Sequence, residues 1–185
     1  MFLGLWLQSE KGVKEAKMEA WINTITLIVL FAQCACVIGL WCLPKVEASL
    51  KITTQTVFLV SLIGFVFASP LLALGSTLME TRAYWYTGYC LLNAIAMGYV
   101  YVWHEREQTP ITGLARLFFL NSMLHILLQI VRASEQLAWN TNYLKYMYKL
   151  GIPSLQIIML LGLVLGVYTS FKLNQQSKEK KKWNS

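Results

Sequence analysis

The sequence predicts an all-α, polytopic membrane protein that folds as one bundle of transmembrane helices. Of its 185 residues, 56% are apolar and 14% are charged, whereas soluble domains average about 45–50% and about 25%. The mean hydropathy is +0.49, and the apolar residues form separate stretches of roughly 20 residues, the length that crosses a bilayer as a helix. This composition excludes a disordered chain, and four cysteines are too few for a disulfide-rich secreted domain.

Five apolar stretches are predicted as transmembrane helices, and four is the alternative. They cover approximately residues 21–43, 54–78, 85–103, 114–131 and 152–171. Pro44 closes the first stretch, and Pro70 lies inside the second, where it removes a backbone hydrogen bond and is expected to kink the helix. The fourth stretch is expected to be the weakest because it contains one basic and three polar side chains, Arg116, Asn121, His125 and Gln129. Short loops predict that consecutive helices are antiparallel neighbours.

The two ends of the chain are predicted to lie outside a bundle formed by residues 20–173. Residues 1–19 begin with a short apolar run and continue with mixed charges, which is typical of an amphipathic helix on the membrane surface. A frayed terminus is the alternative. Residues 174–185 form a basic tail. Over five spans, Lys and Arg are slightly more numerous on the side of this tail, which favours a cytoplasmic C-terminus.

The charge distribution indicates which partners to expect. The formal net charge is +7, and the basic residues are scattered over short loops, which suits contact with anionic lipid headgroups. They do not form the single basic face that a nucleic-acid-binding protein needs. We therefore expect membrane lipids and other integral membrane subunits as partners, and no nucleic acid.

Trp and Tyr residues are concentrated where the predicted spans end. Such rings prefer the headgroup layer and form an aromatic belt, so the pattern supports the predicted boundaries without a ligand. An aromatic binding cage is the alternative interpretation. The residues concerned are Trp21, Trp41, Tyr84, Trp85, Tyr86, Tyr99, Tyr101, Trp103, Trp139, Tyr143, Tyr146 and Tyr148.

The fourth stretch carries the most informative pattern, a polar stripe. At 100° per residue its polar side chains fall within an arc of about 100° on one helix face. The stripe consists of Asn121, Ser122, His125, Gln129, Arg132 and Gln136. Ionisable groups at membrane depth normally face the bundle interior or a watery cavity, which makes this face a candidate ligand site. Hydrogen bonding between helices is the alternative explanation.

The third stretch offers a matching polar face. Its members at helical spacing are Tyr86, Tyr89, Asn93, Met97 and His104. At ~1.5 Å per residue, Asn93 and His125 each lie roughly 17 Å from the loop that joins the two helices. We therefore predict that Asn93 and His125 meet near the middle of the bilayer. The predicted ligand-binding residues are Asn93, Asn121, Ser122, His125, Gln129 and Arg132.

No pattern of catalytic or metal-ligating residues is present in the sequence. There is no HExxH and no paired CxxC spacing, as a zinc site would require. His104 is expected at the membrane edge and His125 near its centre, so the two cannot ligate one haem iron from comparable depth. We expect no cofactor, no metal and no catalytic residue, which argues against an enzyme.

The fifth stretch carries small residues at every fourth position, Gly162, Gly166 and Ser170. Small residues at this spacing let another helix approach closely. The neighbouring helix belongs either to the same bundle or to another subunit. Gly64 and Ala68 repeat the pattern weakly in the second stretch.

Two functions follow from these observations. The first is a non-catalytic subunit, or an assembly and stabilising factor, of a larger membrane complex, because the loops are small and catalytic groups are missing. The second is a carrier or binding protein for a lipid or a small amphipathic ligand that uses the polar stripe. A roomy polar cavity would favour the second function, and a dry hydrogen-bonded seam would favour the first.

Overall fold

The computed structural model describes residues 13–139 and 141–183, and the regular structure within these ranges is helical throughout. The helices are α1 (Val13–Cys42), α2 (Ala48–Ala73), α3 (Leu78–Arg106), α4 (Gly113–Leu137) and α5 (Lys145–Trp183). The prediction of an all-α helix bundle is confirmed.

The described residues include parts of both predicted terminal segments, and these parts belong to α1 and α5. Residues 1–12, which contain most of the predicted surface helix, lie outside the described residues. The remainder of that segment belongs to α1, which begins at Val13. At the other end α5 continues to Trp183, so most of the basic tail extends the last helix.

Four of the helices within the described ranges are long and apolar enough to cross a membrane. These segments are Asn23–Cys42, Ala48–Ala73, Gly113–Leu137 and Lys145–Gln176. At 29 residues and ~1.5 Å per residue, α3 is also longer than the roughly 30 Å hydrocarbon core, but its sequence is more polar. The fourth predicted stretch, expected to be the weakest, is thus among the four candidate spans, whereas the third stretch is not.

The helices are arranged as a closed ring in chain order. Each helix packs against the next, α5 returns to pack against α1, and α2 also touches α4 across the ring. The buried apolar cluster draws on all five helices and consists of Cys36, Val57, Ala96, Val100, Phe118, Met159 and Leu163. It fills the half of the bundle in which α1 ends and α2 begins, which we call the core end.

The small residues of α5 face helices of the same chain. A Cβ atom on Gly162 would lie 2.5 Å from Leu117 Cδ2 of α4, and one on Gly166 would lie 2.7 Å from Leu50 Cδ1 of α2. Ser170 is buried, and its carbonyl accepts a hydrogen bond from the Asn174 amide. Packing within the bundle thus accounts for this seam without a second subunit.

His104 lies within the core end and joins three helices. It is only 3% exposed and lies in the last turn of α3. Its Nδ1–H donates to the Val100 carbonyl at 2.7 Å, and Nε2 lies 2.7 Å from Ser49 Oγ. Ser49 Oγ lies 2.9 Å from Thr112 Oγ1, which also accepts from the Ala115 amide at the start of α4. Both ring nitrogens are therefore used in packing the helix ends.

The start of α3 is held by a capping box. The Thr77 side chain accepts a hydrogen bond from the Glu80 amide, and the Glu80 carboxylate accepts one from the Thr77 amide. Ser76 donates two further hydrogen bonds to the same carboxylate, one from its amide and one from its hydroxyl. These bonds favour the ionised carboxylate and lower the pKa of Glu80.

Candidate functional site

A cavity of about 620 Å³ opens in the half of the bundle opposite the core end. We call this half the cavity end. Its lining comes from all five helices, including the C-terminal halves of α2 and α4 and the N-terminal halves of α3 and α5. Val57, Phe118 and Met159 belong to both the cavity lining and the apolar core, so the core forms the floor of the cavity. The volume falls within the ~300–1,000 Å³ range that is typical of small-molecule sites.

The cavity brings together the residues of the polar stripe. All six residues that the sequence nominates for ligand binding line it, one from α3 and five from α4: Asn93, Asn121, Ser122, His125, Gln129 and Arg132. Gln136, the last residue of the stripe, lies beyond the lining and donates hydrogen bonds to Asn142 and to the Thr141 carbonyl. The stripe therefore faces a space rather than a dry contact between helices.

Asn93 and His125 were predicted to meet near the middle of the bilayer. The Asn93 amide nitrogen donates to the Tyr89 carbonyl at 2.9 Å, one turn back on α3. No hydrogen bond links Asn93 to His125 in the part of the chain that the structure describes, although both line the cavity. A short amide side chain can bond the carbonyl one turn back on its own helix, so Asn93 uses its amide N–H within α3.

Arg132 is buried in a network that links α4 to the start of α5. It is 6% exposed and forms an ion pair with Glu135, which is 2% exposed. Its other guanidinium nitrogen donates to Asn142 Oδ1 at 3.1 Å. Glu135 also accepts a hydrogen bond from the Leu144 amide at 2.8 Å. Sequence reasoning missed Glu135, although its spacing of three residues from Arg132 on one helix is a known signal of ion pairing.

Basic side chains are concentrated on one side of the cavity. Lys145 and Lys149, one turn apart at the start of α5, line it together with Arg132. Lys149 is 3% exposed. The lining residues within the described ranges include no Asp or Glu. These three basic side chains, of which Arg132 is paired with Glu135, are therefore the ones that give the described lining its charge.

One wall of the cavity is aromatic and comes from α3 and α5. Trp85 Nε1 donates to Tyr148 Oη at 3.3 Å, and Tyr148 Oη donates to Gln129 Oε1 at 3.0 Å. The Tyr86 and Tyr148 rings meet edge to face with centroids 6.1 Å apart. Trp85, Tyr86 and Tyr148 were expected in the aromatic belt, and the structure corrects this by placing them in the cavity lining.

Other aromatic residues of the same set are exposed on the outside of the bundle, where a belt requires them. They are Trp21, Trp41, Tyr84, Tyr99, Tyr101, Trp139, Tyr143 and Tyr146. The sequence pattern could not separate the two groups, because rings at a helix end look alike whichever way the helix is rotated.

Amide side chains on three helices lie at the deep part of the cavity. Gln33 on α1, Asn121 on α4 and Gln156 on α5 all contribute to the lining. The side-chain oxygen of each is buried without a hydrogen-bond partner among the described residues. Gln33 and Gln156 were missed in the sequence, although Asn23 on α1 and Lys149 on α5 line the same cavity from the same helices.

Among residues 13–139 and 141–183, no group of three or more His, Cys, Asp or Glu side chains could bind a metal ion. Comparisons of the whole chain with protein-family models, with curated proteins and with solved structures found no match. The chemistry of the cavity is therefore the basis for any functional assignment.

Proposed function

We propose that this integral membrane protein binds a single-chain amphipath with an anionic headgroup in its cavity. The observation that supports the proposal is the lining itself, which combines basic side chains at one level with an apolar floor at another. A cavity of about 620 Å³ suits a single acyl chain better than a phospholipid with two chains. Membrane lipids are thus the source of partners that we favour.

The order of groups along the helix axes matches the orientation of a lipid in one leaflet. Lys145 begins α5 and Arg132 lies in the last two turns of α4, so both are near the end of the bundle, where a headgroup lies. Phe118 and Met159 lie deeper, against the apolar core. An acyl chain could enter this space with its tail towards the bilayer centre and its charge against the basic side chains, so that neither end is transferred to an unfavourable environment.

The basic side chains are suited to hold a carboxylate or a phosphate. Arg132 is already oriented by Glu135 and Asn142, which reduces the ordering cost that a ligand would otherwise meet. If the C-terminus is cytoplasmic, as the charge distribution favours, the cavity end lies on the opposite side of the membrane. Uptake of the ligand would then occur from that leaflet.

A role as a subunit or assembly factor receives less support. The close-packing seam that suggested a second subunit contacts α4 and α2 of the same chain. The cavity also gives the polar stripe of α4 a use that hydrogen bonding between helices does not supply. A carrier or binding protein is therefore the function that we propose.

The proposal is tested by equilibrium binding of radiolabelled oleate to the full chain in lipid nanodiscs. We expect saturable binding that unlabelled oleate displaces and methyl oleate, which lacks the charge, does not. Oleoyl lysophosphatidate in a parallel competition shows whether a phosphate is preferred to a carboxylate. Absence of saturable binding by both anionic probes, or equal competition by methyl oleate, would overturn the proposal.

Substitution of the buried lysine supplies the matched test. Lys149→Gln removes the charge and keeps a polar side chain, so oleate binding should weaken about ten- to a hundredfold, as expected for loss of a hydrogen bond to a charged group. Lys172→Gln, on the exposed part of α5 towards the core end, should bind oleate like the wild type. Lys145→Gln repeats the test at the neighbouring lining position. Unchanged affinity in both lining variants would contradict the assignment.

A further inference from the structure

The amide oxygens at the deep level of the cavity indicate a property of the ligand other than its charge, namely a hydrogen-bond donor. Gln33 is 1% exposed and Asn121 is 8% exposed, and both side chains line the cavity together with Gln156. Their oxygens have no hydrogen-bond donor within the described ranges. Leaving a polar group without a partner away from water is costly, and the cost is greatest inside a membrane, so these acceptors require a donor.

The three acceptors belong to one deep level of the cavity. At ~1.5 Å per residue, Asn121 lies about 16 Å along α4 from Arg132, and Gln156 lies about 16 Å along α5 from Lys145. Gln33 reaches the same space from α1, which packs beside α5. The side chains that carry these acceptors therefore line the region that the middle of an acyl chain would occupy when its headgroup contacts the basic side chains.

We propose that the ligand is a hydroxylated single-chain amphipath, whose chain hydroxyl donates to the amide oxygen of Gln33 or of Asn121 at this deep level. This inference rests on the proposed function, because it takes the headgroup to be at the basic side chains. A plain alkyl chain leaves the acceptors without a donor, whereas a hydroxyl in the middle of the chain supplies one. The cavity thereby selects for a donor at a fixed distance from an anionic group.

Two other features of the molecule are explained by helix packing and by lipid contact. The His104, Ser49 and Thr112 cluster is fully bonded within the core end, so it has no capacity left for a ligand. The exposed apolar residues of the outer surface, such as Phe31 and Leu91, are what lipid contact requires of a membrane protein. The deep amides differ from both because they are buried, polar and lacking a donor within the described chain.

Competition between two probes of equal chain length tests the inference. Ricinoleate is oleate with one additional hydroxyl in the second half of its chain. On the full chain in nanodiscs, ricinoleate should displace radiolabelled oleate with a Kd about five- to tenfold lower than that of oleate, the effect of one hydrogen bond to a buried acceptor. Partition into empty nanodiscs is measured for each probe and subtracted.

Variants that remove the acceptors should remove the preference without removing binding. Gln33→Met and Asn121→Leu keep the approximate shape of the native side chains and remove the acceptor. The variant that loses the acceptor used by the hydroxyl should reduce the preference for ricinoleate over oleate, measured as the ratio of the two affinities within that variant, to about twofold or less. Gln55→Met removes an amide from α2 at a position outside the cavity lining and should keep the preference. Thermal stability of the two lining variants should not fall, because an acceptor without a donor contributes none.

The outcomes separate this inference from the proposed function. Equal affinities of the wild type for oleate and ricinoleate, or an undiminished preference in both lining variants, would overturn the hydroxyl site while the headgroup site stands. In that case ordered water satisfies the amides. Absence of saturable binding by either probe would overturn both the proposed function and the inference drawn from it.

Discussion

Replacing Glu135 with glutamine perturbs the ion pair that joins α4 to the start of α5. Glu135 accepts hydrogen bonds from Arg132 and from the Leu144 amide, and both members of the pair are buried. Glutamine has nearly the same shape and keeps one carbonyl oxygen, so the bond from Leu144 can survive. The negative charge that compensates Arg132 is lost, which leaves a buried guanidinium without its counter-charge.

The expected loss in the free energy of unfolding follows from the burial of the Arg132–Glu135 ion pair. Removing one partner of a buried ion pair costs about 3–5 kcal/mol. Arg132 retains its 3.1 Å hydrogen bond to Asn142 Oδ1, so we expect the lower end of that range for Glu135→Gln, about 3 kcal/mol in the free energy of unfolding. Such a change shifts the folding equilibrium by more than about a hundredfold.

Reversible unfolding in mixed detergent micelles measures this change. The comparison includes Glu135→Gln, Arg132→Met and the double variant that combines these two changes. Because the double variant leaves no buried charge, it should be more stable than the sum of the single effects predicts, with a coupling free energy of at least about 1 kcal/mol. A loss below about 0.5 kcal/mol in Glu135→Gln, or strict additivity in the double variant, would refute the reasoning.

Two further predictions concern the packing of α5 and the start of α3. Gly162→Ala places a methyl group 2.5 Å from Leu117 Cδ2 and should destabilise the bundle by about 1–2 kcal/mol after the gain in helix propensity. A Cβ atom on Gly98 would meet no described atom within 4 Å, so Gly98→Ala should be neutral or stabilising by up to ~1 kcal/mol in the same unfolding assay. Equal effects of the two changes on stability would contradict the packing described for Gly162. Because the folded pKa of Glu80 is lowered from 4.5, its contribution to stability is complete above that pH and is lost as the pH falls through the folded value. The stability difference between wild type and Glu80→Gln, measured by thermal unfolding across pH, should therefore disappear in acid, and a constant difference would argue against a role for the ionised carboxylate.

The sequence by itself determined the class of the protein and the composition of single helix faces. Long apolar stretches can satisfy their backbone in lipid only as helices, so the number of helices and their approximate limits follow from local composition. The 3.6-residue period likewise decides which side chains share a face. For that reason the sequence alone assigns Asn121, His125 and Arg132 to one stripe on α4. All three line the cavity.

The rotation and pairing of the helices were decided only by the tertiary structure. Asn93 lines the cavity, and its amide nitrogen bonds the Tyr89 carbonyl of its own helix. Trp85 and Tyr148 line the cavity whereas Trp41 and Tyr143 are exposed, although the sequence patterns around them are alike.

The deep amide acceptors show most clearly why the sequence alone could not predict which residues meet in the cavity. Gln33 and Gln156 lie on different helices, far apart in the chain, and the sequence of neither helix indicates which other helices its polar side meets. They reach one cavity with Asn121 only because α1, α4 and α5 close the same ring of helices. Long-range packing is a cooperative property of all the side chains between helices, so local period and composition determine the faces, and the closed ring determines which faces meet.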